Sequence, residues 1–296
     1  MAELLQRLEE RKLLVSDGAW GTMLQAAGLE SGQAPERWNL EQPEKVRAVA
    51  AAYAEAGSDL VLTNTFGGSR LKLAKLGVAE QTAELNRAGA ANSIAAAGEA
   101  LVAGSVGPTG EFLEPYGEMT EPELEAVFAE QIDAMVAAGV SAVCIETMSA
   151  IEEAICAIRA ARSVGGDGLD VICTMTFDPG QRGYRTMMGT SCAEAAERLT
   201  QAGADVVGSN CGNGIEQMVE IAAQMRAVTD RPILIHANAG LPQRIDGRTV
   251  FTQTPADFAA RVEALVAAGA SIIGGCCGTT PEHIAAIAAE VARLRS

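Results

Sequence analysis

Three of the seven cysteines in this 296-residue chain stand where chemistry, rather than packing, is expected. Cys211 lies in the phrase SNCG, and Cys276 and Cys277 are adjacent in GGCCGT. Each follows a short aliphatic run and is flanked by Gly or Asn, where a strand gives way to a loop. Three thiolates facing one point make a site for a borderline-soft cation, with zinc the usual occupant at about 2.3 Å per Zn–S bond. Structural zinc normally takes four protein ligands in closely spaced pairs. Three ligands from two distant segments, with no CxxC pair, describe an open site with one position left for a reactant. The glycines around the pair, Gly274, Gly275 and Gly278, let two adjacent residues both turn inward. A vicinal pair also suits a redox couple or simple packing, and spacing alone leaves those readings open.

The other four cysteines, Cys144, Cys156, Cys173 and Cys192, lie among aliphatics and read as small hydrophobes. An odd total argues against a disulfide framework. His236 falls inside an aliphatic run and His283 follows the cap-like TTPE; both read as structural, not as ligands.

What must position the thiols is a repeated unit. Eight apolar runs are each followed by a loop signal and a helical pattern. They are Leu13–Ala19, Asp59–Phe66, Leu101–Pro108, Ala142–Met148, Val171–Asp178, Val206–Gly212, Pro232–Gly240 and Ser271–Thr279. Ala-rich amphipathic segments such as Glu121–Ala138 and Pro255–Ala268 separate them. The phrases AGSDLV, AGVSAV, AGADVV and AGASII, beginning at Ala56, Ala138, Ala202 and Ala268, each end a helix on Gly and enter a strand. Eight such units predict a closed (β/α)8 TIM barrel, taken as a single domain over residues 1–296. An open doubly wound sheet is the alternative, but it usually opens on a glycine-rich dinucleotide fingerprint, where this chain has DGAWGT. In every run the polar residues come last: Asp17, Thr63-Asn64-Thr65, Glu146-Thr147, Asn210-Cys211, Asn238, Cys276-Cys277. In a barrel these ends converge on the C-terminal rim, where active sites sit.

Bulk properties narrow the partners. A formal net charge of −16 disfavours nucleic acid and anionic membrane surfaces. The N-terminal MAELLQRLEERKLL mixes charges at helical spacing and lacks the apolar block of a signal peptide. No stretch approaches the roughly 20 apolar residues of a membrane span. A cytoplasmic protein is expected, with its cysteines reduced.

DGAWGT (Asp17–Thr22), TNTFGGSR (Thr63–Arg70), GPTGE (Gly107–Glu111), ETM (Glu146–Met148), MTFD (Met175–Asp178), SNCG (Ser209–Gly212), NAG (Asn238–Gly240) and GGCCGTTPEH (Gly274–His283) occur in this order. In them the whole chain resembles the homocysteine S-methyltransferase family, and most closely the homocysteine-binding module of cobalamin-dependent methionine synthase. The resemblance implies zinc on Cys211, Cys276 and Cys277, with the homocysteine sulfur in the open position. It implies that the amino-acid end of the substrate meets DGAWGT and ETM. Backbone N–H groups at Gly18 and Ala19 would take the carboxylate and Glu146 the ammonium, with Asp17, Thr22, Asn64 and Asn238 as further contacts. Homocysteine would become methionine by attack of its thiolate on an electrophilic methyl.

In the resembling enzyme, folate and cobalamin modules follow this one. This chain ends on the helical stretch Pro281–Leu294, so the methyl is expected from methylcobalamin on a separate corrinoid protein. The alternative donor is a small sulfonium or betaine-type molecule such as S-methylmethionine, and the chain also fits one module of a longer protein. Two other classes stay open. A metal-independent aldolase-type barrel would want a lysine on a strand end, and none of the eight runs contains one. A non-catalytic zinc- or thiol-binding barrel, or a methyltransferase for another thiol, shares every feature named above. The loops Phe112–Met119 and Arg182–Met188 are expected at the rim, where they could cover the site.

Overall fold

Each of the eight aliphatic runs contains a strand, and all eight pair in parallel in chain order. The computed structural model describes residues 3–30, 32–245 and 248–295, so positions 1, 2, 31, 246, 247 and 296 of the expected domain lie outside the described residues. The strands are β1 (Leu14–Val15), β2 (Leu60–Leu62), β3 (Leu101–Val106), β4 (Ala142–Met148), β5 (Asp170–Met175), β6 (Val206–Gly214), β7 (Ile233–Asn238) and β8 (Ala270–Gly275). β1 pairs with β8, and a single bridge from Ser16 to Leu60 joins it to β2, so the sheet forms a nearly closed barrel. Eight helices alternate with the strands: α1 (Pro43–Glu55), α2 (Thr82–Ala96), α3 (Glu121–Val136), α4 (Ile151–Gly165), α5 (Cys192–Ala202), α6 (Ile215–Arg226), α7 (Pro255–Ala267) and α8 (Pro281–Arg295).

The AG repeat has a physical basis. Gly57, Gly139, Gly203 and Gly269 take φ between 99° and 107°, the left-handed turn that ends each helix. In two copies the Asp that follows staples neighbouring strands. The Asp59 carboxylate accepts from Val15 N at 2.9 Å, and that of Asp205 accepts from Val171 N at 2.9 Å.

Side chains two apart on a strand share a face, and the inward faces change character with height. At the bottom Leu14, Leu60, Leu101, Ala142, Ile172, Val206, Leu234 and Ile272 form one apolar cluster. The N-terminal helix Glu3–Arg11 plugs it with Leu4 and Leu8, and Leu4 N donates to Asp170 Oδ2 at 2.7 Å. Higher on the same faces come Ser16, Ser105, Thr174 and His236, all buried. The His236 ring faces Gly274, where a Cβ would come within 2.9 Å of it. Burial holds its pKa down at about 3, so it is neutral. Cys144, Cys156, Cys173 and Cys192 are buried as expected.

Most strands stop short of the expected runs, as β8 does in ending at Gly275 rather than Thr279, while β4 fills its run and β6 continues past Gly212 to Gly214. The rim residues leave the ladder because they bond across to neighbouring loops. Two hairpins on the rim were not expected: Asp178–Gly180 with Gly183–Arg185, and Gln243–Ile245 with Arg248–Val250. No helix among the described residues is long and apolar enough to cross a membrane.

Leu4 is fully buried, and truncating a buried leucine leaves a cavity. Leu4→Ala is expected to destabilise the protein by about 3 kcal/mol, read as a lower urea midpoint with an unchanged slope. A midpoint equal to wild type would show that the plug is dispensable.

Candidate metal and substrate site

β6 and β8 flank β7, and their ends carry the three thiols to one point. The sulfurs of Cys211, Cys276 and Cys277 all lie within 4.8 Å of one another. Cys211 is brought there by a break in register, since β6 pairs with β7 up to Asn210 and resumes only at Gly214. Within that bulge Cys211 adopts φ 61° and Gly212 φ 69°. A non-glycine residue in this region costs on the order of 1–3 kcal/mol and persists where its surroundings over-determine it.

The cysteine pair is pinned through its backbone. Cys276 N donates to Ala237 O at 2.7 Å, and Ala239 N to Cys277 O at 2.9 Å. The Cys276 carbonyl also accepts from Thr279 N at 3.1 Å and Thr279 Oγ1 at 2.8 Å. Gly278 takes φ 81°, and a Cβ there would sit 2.1 Å from the Phe251 ring.

Three sulfurs this close cannot all ionise without a cation beside them. Hydrogen bonds from Cys276 and Cys277, joined by one from the Asn238 amide, hold Cys211 well below the usual thiol range. Donating to Cys211 pushes Cys276 up, and Cys277 up to about 11. The three sulfurs share hydrogen bonds, Cys276 and Cys277 donating to Cys211, and a divalent cation would take the place of their protons. A soft, closed-up sulfur set fits zinc. Asn238 adds an oxygen: its Oδ1 is buried with no protein partner.

Beside the thiols stand two buried carboxyls. Glu146 accepts from Ser105 Oγ at 2.5 Å and from Asn210 Nδ2 at 3.3 Å. Burial pushes its pKa up to about 7. Thr147, next in the chain, has φ 63° and sits in a second bulge, where the β4–β5 register breaks between Ile145 and Met148. Asp17 Oδ2 accepts from Leu62 N and Trp20 Nε1, each at 2.8 Å, and Oδ1 takes only a 3.3 Å contact from Ser16. Asp17 thereby supplies the acceptor that the very short β1 cannot offer β2. Burial pushes it, too, up to about 7 against those hydrogen bonds.

The DGAWGT loop is welded to the GGCCGT loop. Gly275 N donates to Asp17 O at 2.8 Å and Tyr53 Oη to Ala19 O at 2.7 Å. Gly18 has room for no side chain, because a Cβ would lie 2.7 Å from Thr279 Oγ1 and 2.9 Å from Tyr53.

Two members of the expected substrate set are otherwise engaged. The Ala19 N–H donates to Thr279 Oγ1 at 3.1 Å, so it is spent within the protein. Asn64 is buried in an amide network, its Nδ2 donating to Pro35 O at 2.8 Å and Asn39 Oδ1 at 2.9 Å, which leaves no amide hydrogen for a ligand. Gly18 and the half-buried Thr22 remain at the mouth with no such commitments among the described residues. His283 is structural: Nδ1 accepts from Thr280 N at 3.2 Å, and the other ring nitrogen meets Gln253 O at 3.0 Å. The loops 112–119 and 182–188 follow β3 and β5 on the rim, with Phe112, Tyr116, Met187 and Met188 exposed.

Residues 14–291 match the family described as Homocysteine S-methyltransferase. The chain belongs to that family. It is 30% identical to methionine synthase of Mycobacterium leprae over 98% of its own length and 25% of the other's. The chain therefore spans about a quarter of the length of the methionine synthases it matches. It is also 30% identical to betaine–homocysteine S-methyltransferase 1 of Bos taurus, over 99% of this chain and 75% of that one. The metallated form of the homocysteine methyltransferase MmuM from Escherichia coli superposes with a TM-score of 0.80, covering 97% of this chain and 99% of that one at 24% identity, which shows a common fold.

Asn210, Ser105, Thr147, Thr174 and Thr279 complete the site and went unassigned in the sequence. Their signal was a hydroxyl or amide interrupting an aliphatic run, as Ser105 does in LVAGSV and Thr174 in VICTM.

Because Asp17 holds its proton to about pH 7 when folded, against 3.8 ordinarily, the folded form binds more protons. Its contribution to stability is complete below about pH 4 and is lost as the pH rises through about 7. Asp17→Asn removes this titration. The urea midpoint of the metal-free variant is expected to fall less than that of wild type between pH 5 and pH 8. Parallel declines would show that Asp17 is not the group responsible.

Proposed function

We propose that the chain transfers a methyl group to the sulfur of homocysteine, giving methionine, with zinc held by Cys211, Cys276 and Cys277 and the methyl brought by a methyl-corrinoid protein. The observation that carries this reading is three sulfurs within 4.8 Å of one another at the mouth of a barrel, beside two buried carboxyls. When bound, zinc supplies the Lewis acidity that keeps a substrate thiol deprotonated at neutral pH, where a free thiol of pKa about 8.5 is mostly protonated.

The chain's own residues bind and orient the substrate. Glu146 and Asp17 take the ammonium. An incoming cation favours their charged forms, so both carboxyls ionise as the substrate seats. The Gly18 N–H, with Thr22 nearby, takes the carboxylate. Asn238 presents its unpartnered Oδ1 beside Cys211. Neither histidine is placed for general-base work, since His236 is buried and His283 is spent on the start of α8. No side chain of the site is accordingly assigned as the base for the thiol.

The rim supports a large donor. Phe66, Phe112, Tyr116, Met187, Met188 and Leu241 are exposed on the loops after β2, β3, β5 and β7, all at the mouth. A ring of apolar side chains around a site suits a docking partner better than a small polar molecule. A second reading, a small betaine- or sulfonium-type donor, is favoured by the 30% identity to the betaine enzyme over 99% of this chain. The seven free cysteines suit the cytoplasm, where thiols stay reduced.

The test is metal content together with methionine formation from homocysteine, comparing methylcobalamin, S-methylmethionine, betaine and methyl-folate. Cys211→Ser and Cys276→Ser are each expected to lose zinc and methyl transfer together. A variant that kept full zinc and turnover would overturn the assignment. Zinc binding without methionine from any donor would leave a binding protein, or a different thiol as acceptor.

A further inference from the structure

We infer that Asn210 is a positioning residue that couples the ammonium end of the substrate site to its thiolate end. The inference rests on the functional reading above. Asn210 is fully buried on β6 at the last pairing before its ladder breaks, next to Cys211, and its carboxamide reaches both halves of the site.

Its Oδ1 is fixed by two donors, Thr147 N at 2.7 Å and Thr174 Oγ1 at 2.8 Å. Its Nδ2 faces three acceptors: Thr147 Oγ1 at 2.7 Å, Glu146 Oε2 at 3.3 Å and Cys276 Sγ at 3.8 Å. Turning the amide over would set its NH2 against the Thr147 N–H and its oxygen against the Glu146 carboxylate, so the orientation is determined.

Two consequences follow. First, Asn210 grips Thr147 at both its N–H and its hydroxyl. Thr147 is a β-branched residue at φ 63°, a conformation that persists only when held, and it forms the bulge that aims Glu146 into the mouth. Second, an amide nitrogen has two hydrogens for its three acceptors. One belongs to Thr147 Oγ1, the shortest contact, and the other is shared between Glu146 and the Cys276 sulfur. An ammonium that engages Glu146 Oε2 competes with this shared hydrogen and leaves it to Cys276. Occupancy of the ammonium subsite is thereby transmitted to a metal-binding sulfur, which distinguishes an amino-acid thiol from a bare one.

The experiment uses the cobalt(II)-loaded protein, whose thiolate-to-metal absorption reports on the sulfurs directly. Homocysteine is compared with 4-sulfanylbutanoate, which keeps the thiol and carboxylate and lacks the ammonium. Wild type is expected to bind homocysteine at least about tenfold more tightly than the des-amino thiol, the scale of a hydrogen-bonded charge contact. In Asn210→Leu this ratio is expected to collapse toward one, and the absorption of the thiol-free protein to shift as Cys276 loses its donor. Thr174→Val keeps the shape, removes one of the two bonds to Oδ1, and is expected to give an intermediate ratio. General damage to the site would weaken both thiols alike and leave the ratio standing. An unchanged ratio in Asn210→Leu with metal still bound overturns the inference; if that variant does not fold, an unchanged ratio in Thr174→Val does so. Wild-type protein that takes up neither metal nor thiol overturns the functional reading, and the inference with it.

Discussion

Cys211 can meet Cys276 and Cys277 only because β6 leaves its ladder after Asn210 and passes through two left-handed residues before rejoining it. Much of the site depends on this detour. A regular strand would point Asn210 and Cys211 to opposite faces, and one of the two would leave the mouth. The bulge lets both serve, Asn210 inward to the carboxyl and Cys211 across to the pair on β8. The strain is offset by bonds around the detour: the Thr176 hydroxyl donates to the Asn210 carbonyl at 3.0 Å, and Asn213 Nδ2 donates to Phe177 O at 2.5 Å. β4 makes the same departure at Thr147, and the two bulges face each other through one carboxamide.

Below the bulges the barrel interior grades from apolar to polar. Leucine, isoleucine and alanine fill the floor, hydroxyls and a neutral histidine the middle, and carboxyls and thiols the mouth. This gradient places Asp17 and Glu146 where water is scarce, and desolvation is the largest influence on both. A carboxyl poised near neutrality is a poor standing anion and a good partner for a cation that arrives. The same scarcity of water favours the thiol whose charge is shared by two donors over three separate anions.

Membership in the homocysteine S-methyltransferase family supports the acceptor proposed above. The proposed donor would meet the rim, where loops carry exposed aromatic and methionine side chains that contribute little to packing. Relatives of two different names, methionine synthase and betaine–homocysteine S-methyltransferase, match the same chain at the same identity.

The amino-acid sequence alone determined the barrel, the order of its strands, the burial of four cysteines and the identity of the three that converge. Those features are written locally, as aliphatic runs that end in polar residues and as glycines where helices turn. It did not disclose which polar groups are already spoken for. Ala19 meets Thr279 across 260 positions, and Asn210 meets Thr147 across 63, distances at which no periodicity carries information. Asn64 carries the same residue type, at the same point on its strand, as a ligand-binding asparagine would. Only the tertiary structure shows Asn39 and Pro35 consuming its hydrogens. Residue type and spacing decide what a site can contain, and closure of the barrel decides which of its groups remain free to act.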